Sequence, residues 1–148
     1  MYLATVIDCY SRKVVGFSMA DHMRQALVIQ ALDNAAATTL IQPDAIFHSD
    51  KGSQYTSAGF RSALTRYAMR ASMGRTGVCW DNSLAESFFA ALKNERVYRT
   101  VYPTKTHAKR DVFHYIEGFY NTRRRHSALG YQRPAEVHYG GLQLATAA

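Results

Sequence analysis

Two carboxylates stand at the ends of one stretch of this chain. Asp50 lies in His48-Ser49-Asp50-Lys51-Gly52, Glu86 lies in Trp80-Asp81-Asn82-Ser83-Leu84-Ala85-Glu86, and thirty-five residues separate them. Asp50 follows the apolar run Ala45-Ile46-Phe47, which reads as a buried strand, so its side chain emerges near a strand end. Glu86 lies early in a segment of helical period, from Asn82 to about Val97. At about 100° per residue, Leu84, Ala85, Phe88, Phe89, Ala91 and Leu92 fill one arc, while Glu86, Ala90, Lys93 and Val97 fall on the other. Carboxylate oxygens are the ligands that Mg²⁺ prefers. An acid at a strand end beside an acid at a helix start is a way to hold that ion. Alone, Asp50 also suits a turn before Lys51-Gly52, and Glu86 also complements a helix dipole.

The elements that must position these residues can be read in order. Tyr2–Asp8 and Val14–Met19 read as a hairpin around the turn Tyr10–Lys13. Arg24 to about Leu40 reads as a helix, with Leu27, Val28, Ala31, Leu32, Ala35 and Thr39 at helical spacing. The strand before Asp50 follows Pro43. Thr56 or Ser57 caps a helix to about Tyr67 with the stripe Phe60, Leu64 and Tyr67, and Arg70–Met73 is a short strand. Gly74–Gly77 reads as a flexible loop, and Asp81 or Asn82 as the cap of the Glu86 helix. Pro103-Thr104 opens a helix to about Asn121 bearing Val112, Tyr115, Ile116 and Phe119 on one face. Beyond it Gly130 and Pro134 mark an irregular tail, frayed from residues 139–140 onward. The order β-β-α-β-α-β-α predicts an α/β fold with a mixed sheet flanked by helices.

A chain of 148 residues suits one domain with a core, and its 47% apolar and 20% charged residues are those of an ordinary globular protein. The apolar stretches fall short of a membrane span, and the N-terminus has no signal-peptide pattern. The expected location is therefore cytoplasmic and nucleoid-associated. Cys9 and Cys79 lack metal spacing and read as plain thiols. The net charge of +7 is concentrated: residues 93–133 hold ten basic side chains against three acidic ones, and the remainder balances at eight of each. A basic segment beside a carboxylate site suits a polyanion held next to a metal, although a solvated helix face has the same composition.

The blocks HSDKGSQYTS and WDNSLAESFFAALKNE resemble the second half of the D,D-35-E motif of bacterial insertion-sequence transposases and retroviral integrases. The tail YNTRRRHSALGYQRPAEVH is similar to that of the insertion-sequence branch, and the likeness covers about residues 1–138. It implies a ribonuclease-H-like catalytic core over 1–138 and catalytic, metal-binding roles for Asp50 and Glu86. It further implies a DNA-contacting Lys93, Mg²⁺ or Mn²⁺ weakly bound, and metal-dependent phosphoryl transfer that joins transposon ends to target DNA. DNA is the implied partner, with a homo-oligomer or association with an intact transposase.

In that family the first catalytic Asp lies on a central strand preceding the YLATVID block. The expectation is therefore a core truncated at its N-terminus, lacking that strand and inactive in this copy. Asp8 ends a strand, but it matches the non-catalytic Asp of the Ile-Asp-x-x-Ser-Arg block and is expected to fix a turn. Arg123, Arg124 and Arg125 are candidate phosphate ligands or a solvated helix end. His48 could reach the site or be structural. Ser53, Gln54, Asn82 and Ser83 are polar candidates near DNA, and Trp80 is expected to pack. Two rival readings are an inactive basic DNA-binding remnant that interferes with an intact transposase, and a ribonuclease-H-like nuclease.

Overall fold

The computed structural model describes residues 1–73 and 83–147, with side chains described through Gly140. The elements are β1 (Tyr2–Ile7), β2 (Val14–Ala20), α1 (Gln25–Thr38), β3 (Ile46–Ser49), α2 (Ser53–Thr56), α3 (Ala58–Arg66), β4 (Arg70–Met73), α4 (Ser83–Glu95), α5 (Lys105–Tyr115) and α6 (Pro134–Ala147). They form two compact units, one of Met1–Val6 with Val15–Glu86, the other of Ile7–Val14 with Ser87–Ala148. The chain passes between the units through the hairpin and through α4.

The first unit is built on α1 and α3. Leu27, Val28, Ala31 and Leu32 of α1 close over Ala4 of β1 and over Phe60, Ala63 and Leu64 of α3. Helical spacing alone puts these residues on facing stripes. Ser57 caps α3 by accepting a hydrogen bond from the Phe60 N–H, as its sequence position implied. Phe47, Tyr55 and Phe60 stack edge-on or tilted, with ring centroids 5.2 to 6.2 Å apart, and seat β3 on this core. Across the α1–β2 contact, Asn34 Nδ2 donates to the Phe17 carbonyl at 2.8 Å and Thr38 Oγ1 to the Val15 carbonyl at 3.1 Å.

Among the described residues four strands form, at the places the sequence marks, and they pair two by two rather than in one sheet. β1 pairs with β2, and β3 pairs in parallel with β4 in the register Ile46↔Arg70, Phe47↔Ala71, His48↔Ser72, Ser49↔Met73. The run before Asp50 is accordingly not the buried strand its apolarity suggested. Ile46 is 61% exposed, because one face of a two-stranded ribbon packs on the core and the other stays open.

The second unit contains most of α4, with α5, α6 and the hairpin tip. Phe88 and Leu92 of α4 and Ala108, Val112 and Tyr115 of α5 are buried. The helix expected to run to Asn121 changes pitch: Ile116–Tyr120 is a π-helical turn, with the Asn121 N–H donating to the Ile116 carbonyl. The wider turn carries Tyr120 and Asn121 inward, whereas Phe119, read as a core residue, is 40% exposed. The expected irregular tail also contains structure. Arg133 N–H donates to Glu136 Oε2 at 3.1 Å, and Pro134 occupies the first turn of α6, whose backbone stays helical to Ala147. That is the helix-start chemistry in which an early Glu reaches back to the preceding N–H.

Gly16 lies where β2 and α1 approach backbone to backbone. A β-carbon there would lie 2.4 Å from the Ala31 carbonyl oxygen and 2.5 Å from the Ala35 nitrogen, both backbone atoms that cannot swing aside. Gly16→Ala should therefore destabilise the chain by about 1–3 kcal/mol, the usual cost of overpacking. Urea titration checks this; a midpoint unchanged from wild type would mean that β2 and α1 can separate without loss.

Candidate active site and nucleic-acid interface

Asp50 follows the last residue of β3 and is exposed. Its Oδ1 accepts from the Gly52 N–H at 2.7 Å, which closes the turn and fixes the carboxylate. A side chain at Gly52 would meet that oxygen at 2.8 Å and Gln54 Oε1 at 2.9 Å, so it would displace the Asp50 carboxylate or the Gln54 amide. Below it, the Tyr55 phenol is pushed above its ordinary value by burial and then by the Asp50 charge. His48, two residues earlier on the same face, places Nδ1 3.2 Å from Ser72 Oγ in its cross-strand register pair. Ser53 and Gln54 begin the short α2.

Glu86 lies in the first turn of α4 and Lys93 in its last. Both are exposed, on the arc opposite the buried Phe88 and Leu92. Seven residues of helix place their α-carbons about 10 Å apart along the axis. Asp50 and Glu86 belong to the first unit, and Lys93 with Arg123, Arg124 and Arg125 to the second. Among the described residues no three His, Cys, Asp or Glu side chains gather as a metal-binding group. Trp80, Asp81 and Asn82, the Gly74–Gly77 loop and Cys79 lie outside the described residues; Cys9 is an exposed free thiol.

Asp8 serves the turn. Its oxygens accept from the Tyr10 N–H at 3.4 Å, the Ser11 N–H at 3.2 Å and the Ser11 hydroxyl at 2.6 Å. His138 of α6 sits over this turn, with Nδ1 3.3 Å from Asp8 Oδ2 and 3.4 Å from Ser11 Oγ. Burial acts to raise the Asp8 pKa, but the hydrogen bonds from Ser11, His138 and Tyr10 outweigh it and hold the carboxyl below its ordinary value.

The arginine tract is not uniform. Arg123 and Arg125 are exposed. Arg124 instead grips Glu95 at the end of α4, with Nε at 3.0 and 3.1 Å and Nη2 at 2.7 Å from the carboxylate oxygens. The Tyr115 hydroxyl donates to the same carboxylate at 2.7 Å. Burial, followed by that hydrogen bond, drives the Tyr115 pKa well above its ordinary value. The Arg124 guanidinium lies 5.8 Å from the Tyr120 ring centroid, and Tyr120 packs edge-on against Phe88 and His126. His126 is buried, and its pKa is lowered by burial and then by the charges of Arg124 and Arg12. A second brace joins Arg96 to Asp111, which also accepts from the Tyr102 hydroxyl at 2.6 Å.

Sequence reasoning missed Asn121, which is fully buried. Its side-chain amide donates to the Val14 carbonyl at 3.0 Å and accepts from the Val14 N–H at 2.9 Å. Its own carbonyl accepts from the Ala135 N–H at 2.8 Å. The one signal available was an amide side chain at the end of an amphipathic helix.

Comparison with solved structures defines the class. The chain superposes on a chain of the simian T-cell lymphotropic virus intasome in complex with PP2A regulatory subunit B56 gamma, with a TM-score of 0.71 and 18% identity, covering 92% of this chain and 47% of that one. It superposes on the HTLV-2 integrase catalytic core domain, solved in complex with magnesium in a trimeric form, with a TM-score of 0.63 and 17% identity, covering 89% and 80%. The fold is that of the retroviral integrase catalytic cores, which are ribonuclease-H-like. Residues 1–79 and residues 67–134 each match a family described as the integrase core domain, and the chain belongs to that family. It is 41% identical over 136 residues to the transposase for insertion sequence element IS904 of Lactococcus lactis subsp. lactis (strain IL1403), covering 92% of this chain and 54% of that protein. It is 40% identical over 142 residues to transposase InsF for insertion sequence IS3A of Escherichia coli (strain K12), covering 96% and 49%. The chain thus spans about half the length of the curated relatives it matches. Among the described residues no helix is long and apolar enough to cross a membrane.

Arg124→Gln leaves Glu95 and Tyr115 without their cation and should cost about 1–3 kcal/mol, whereas Arg123→Gln and Arg125→Gln should leave the melting temperature within error. Thermal melts of the three variants decide this. Because the Asp8 pKa is depressed in the folded state, its stabilisation is present above the unfolded value and disappears as pH falls through the folded one. An Asp8→Asn chain should show a flatter loss of stability with acid; an acid limb identical to wild type would remove Asp8 from the balance.

Proposed function

We propose that this chain is part of the catalytic core of an insertion-sequence transposase, whose reaction on DNA is metal-dependent phosphoryl transfer, and that by itself it is inactive. The observation that carries this reading is the placement of Asp50 at the end of β3 and Glu86 in the first turn of α4, in a chain 41% and 40% identical to the IS904 and IS3A transposases. The two carboxylates fit Mg²⁺ or Mn²⁺ in kind, as exposed hard oxygen donors. They fall short in number, since no third ligand of the kind a two-metal site needs joins them among the described residues, and Asp8 is occupied with its turn. When bound, the metal would activate the attacking hydroxyl and stabilise the leaving oxygen.

The protein's own part is to bind and orient DNA. Gly52 and the β3 terminus fix the Asp50 carboxylate, and α4 carries Glu86 with Lys93 on one exposed arc. Lys93, Arg123 and Arg125 are the proposed phosphate ligands, and Arg124 stands behind them on Glu95. The trimeric form of the HTLV-2 core supports a homo-oligomeric assembly for this chain, or its association with an intact transposase.

With two carboxylates in place, the chain by itself should join no DNA ends in Mg²⁺ or Mn²⁺, and Asp50→Asn should abolish a weak Mn²⁺ response followed by calorimetry. Duplex binding should be non-specific and fall steeply with salt, and Arg123→Gln with Arg125→Gln should flatten the log–log salt slope by about 0.9 for each phosphate no longer neutralised. Vigorous joining that Asp8→Asn removes would make Asp8 the third ligand and overturn the assignment of the site. A salt slope indifferent to both arginines would place the DNA elsewhere.

A further inference from the structure

The loop that follows the π-helical turn is closed on itself and displays one large side chain. His126 and Gln132 form an antiparallel bridge across its base. Inside it, the N–H groups of Leu129 and Tyr131 donate to the His126 carbonyl at 3.0 and 2.9 Å, and the Gly130 N–H donates to the Ser127 carbonyl at 3.1 Å. The backbone then turns left-handed at two consecutive residues, Gly130 at φ 61° and Tyr131 at φ 62°. Glycine adopts that conformation freely, but a bulky aromatic adopts it rarely and under strain. Burial of the ring does not offset the strain, because Tyr131 is 67% exposed. Strained backbone of this kind collects at sites that bind something.

The surroundings say what could bind. Arg125 and Arg133 flank the bridge on its two arms, one residue before His126 and one after Gln132. Arg133 is paired with Glu136, whose carboxylate also feels the charge of Arg125, while Arg123 and Arg125 are exposed. The neighbouring Ser127 and Ala128 are small and exposed, so nothing bulky in that turn crowds the ring. An exposed aromatic face in a closed loop whose bridge is bordered in sequence by Arg125 and Arg133 suits a nucleobase whose face is open, with the strand's phosphates on the exposed arginines. Intact duplex keeps its base faces stacked inside, so the fitting ligand is single-stranded or locally unpaired DNA.

We propose that Tyr131 is a stacking platform for an unpaired base of single-stranded DNA, with Arg123 and Arg125 on the adjoining phosphates. This rests on the DNA-acting reading above and adds to it the class of DNA that the loop takes. The test uses the full chain with a fluorescent oligothymidylate strand and a fluorescent duplex of mixed sequence. Tyr131→Ala and Tyr131→Gly should weaken single-strand binding about 5- to 150-fold, the range for removing one base–aromatic stack. Tyr131→Phe should bind like wild type, and duplex binding should be unchanged in all three. Tyr131→Gly should also melt at a higher temperature than wild type, which removes misfolding as the cause of its weaker binding. Arg125→Gln should lower the salt slope on both probes. A Tyr131→Gly chain that binds the strand like wild type overturns the proposal, as does an equal loss on strand and duplex. Loss of self-association in place of DNA affinity overturns it too, since the ring would then be a contact between copies. A wild-type chain that binds neither probe overturns this proposal and the DNA-acting reading together.

Discussion

The side chain of Asn121 does in the second unit what a neighbouring strand does in a sheet. Its amide makes the two complementary hydrogen bonds with Val14 that a ladder partner would make, and both residues are buried. A buried N–H and C=O left unpaired would each cost about 1–3 kcal/mol. The base of the hairpin tip is therefore tied to the end of the π-helical turn, and the Ala135 N–H on the Asn121 carbonyl ties the start of α6 to the same residue. The π-turn is what makes this possible. An α-helical continuation would carry Phe119 inward and turn the amide away from Val14, so the change of pitch is part of the second unit's core.

Charge is arranged on that frame in two tiers. Glu95, Asp111 and Glu136 each take one arginine, respectively Arg124, Arg96 and Arg133. Glu95 and Asp111 lie on α4 and α5, and tyrosine hydroxyls complete their shells. These two pairs join elements that are distant in the chain, and their acids are held below the ordinary carboxylate range. For Asp111 the hydrogen bond from Arg96 is the largest cause; for Glu95 the hydrogen bonds from Arg124 and Tyr115 overcome the opposing effect of burial. Among the cations that make none of these three pairs, Lys93, Arg110, Arg123 and Arg125 are exposed. The positive charge of this segment is thus divided between cations that brace the fold and cations that face solvent.

The carboxylate site follows a different logic. Asp50 and Glu86 sit at element ends, where a backbone N–H or a helix start supports negative charge without burying it. Both carboxylates stay exposed to solvent, Asp50 with one oxygen already accepting from the Gly52 N–H. The separation of the strands into two pairs leaves β1 and β3 in different sheets, so in this chain β3 holds Asp50 through the Phe47–Tyr55–Phe60 ring contacts and β4 rather than through a wide sheet.

Local pattern determined much of this protein. The α1 stripe, the Ser57 cap, the four strand positions, the opposite arcs of α4 and the Asp8 turn were legible because each depends on residues within a few positions of one another. The block around Asp50 and the spacing to Glu86 were sufficient to suggest the family. Tertiary structure decided the rest. Whether an apolar strand such as Ala45–Phe47 is buried depends on how many neighbours it pairs with, which no local pattern contains. The inward turn of Asn121 and the outward turn of Phe119 depend on one extra residue in a helical turn, a shift that helical periodicity does not register. The split of Arg124 from Arg123 and Arg125 depends on Glu95, which lies twenty-nine positions earlier in the chain. Three identical side chains in a row cannot reveal which of them has met an acidic partner.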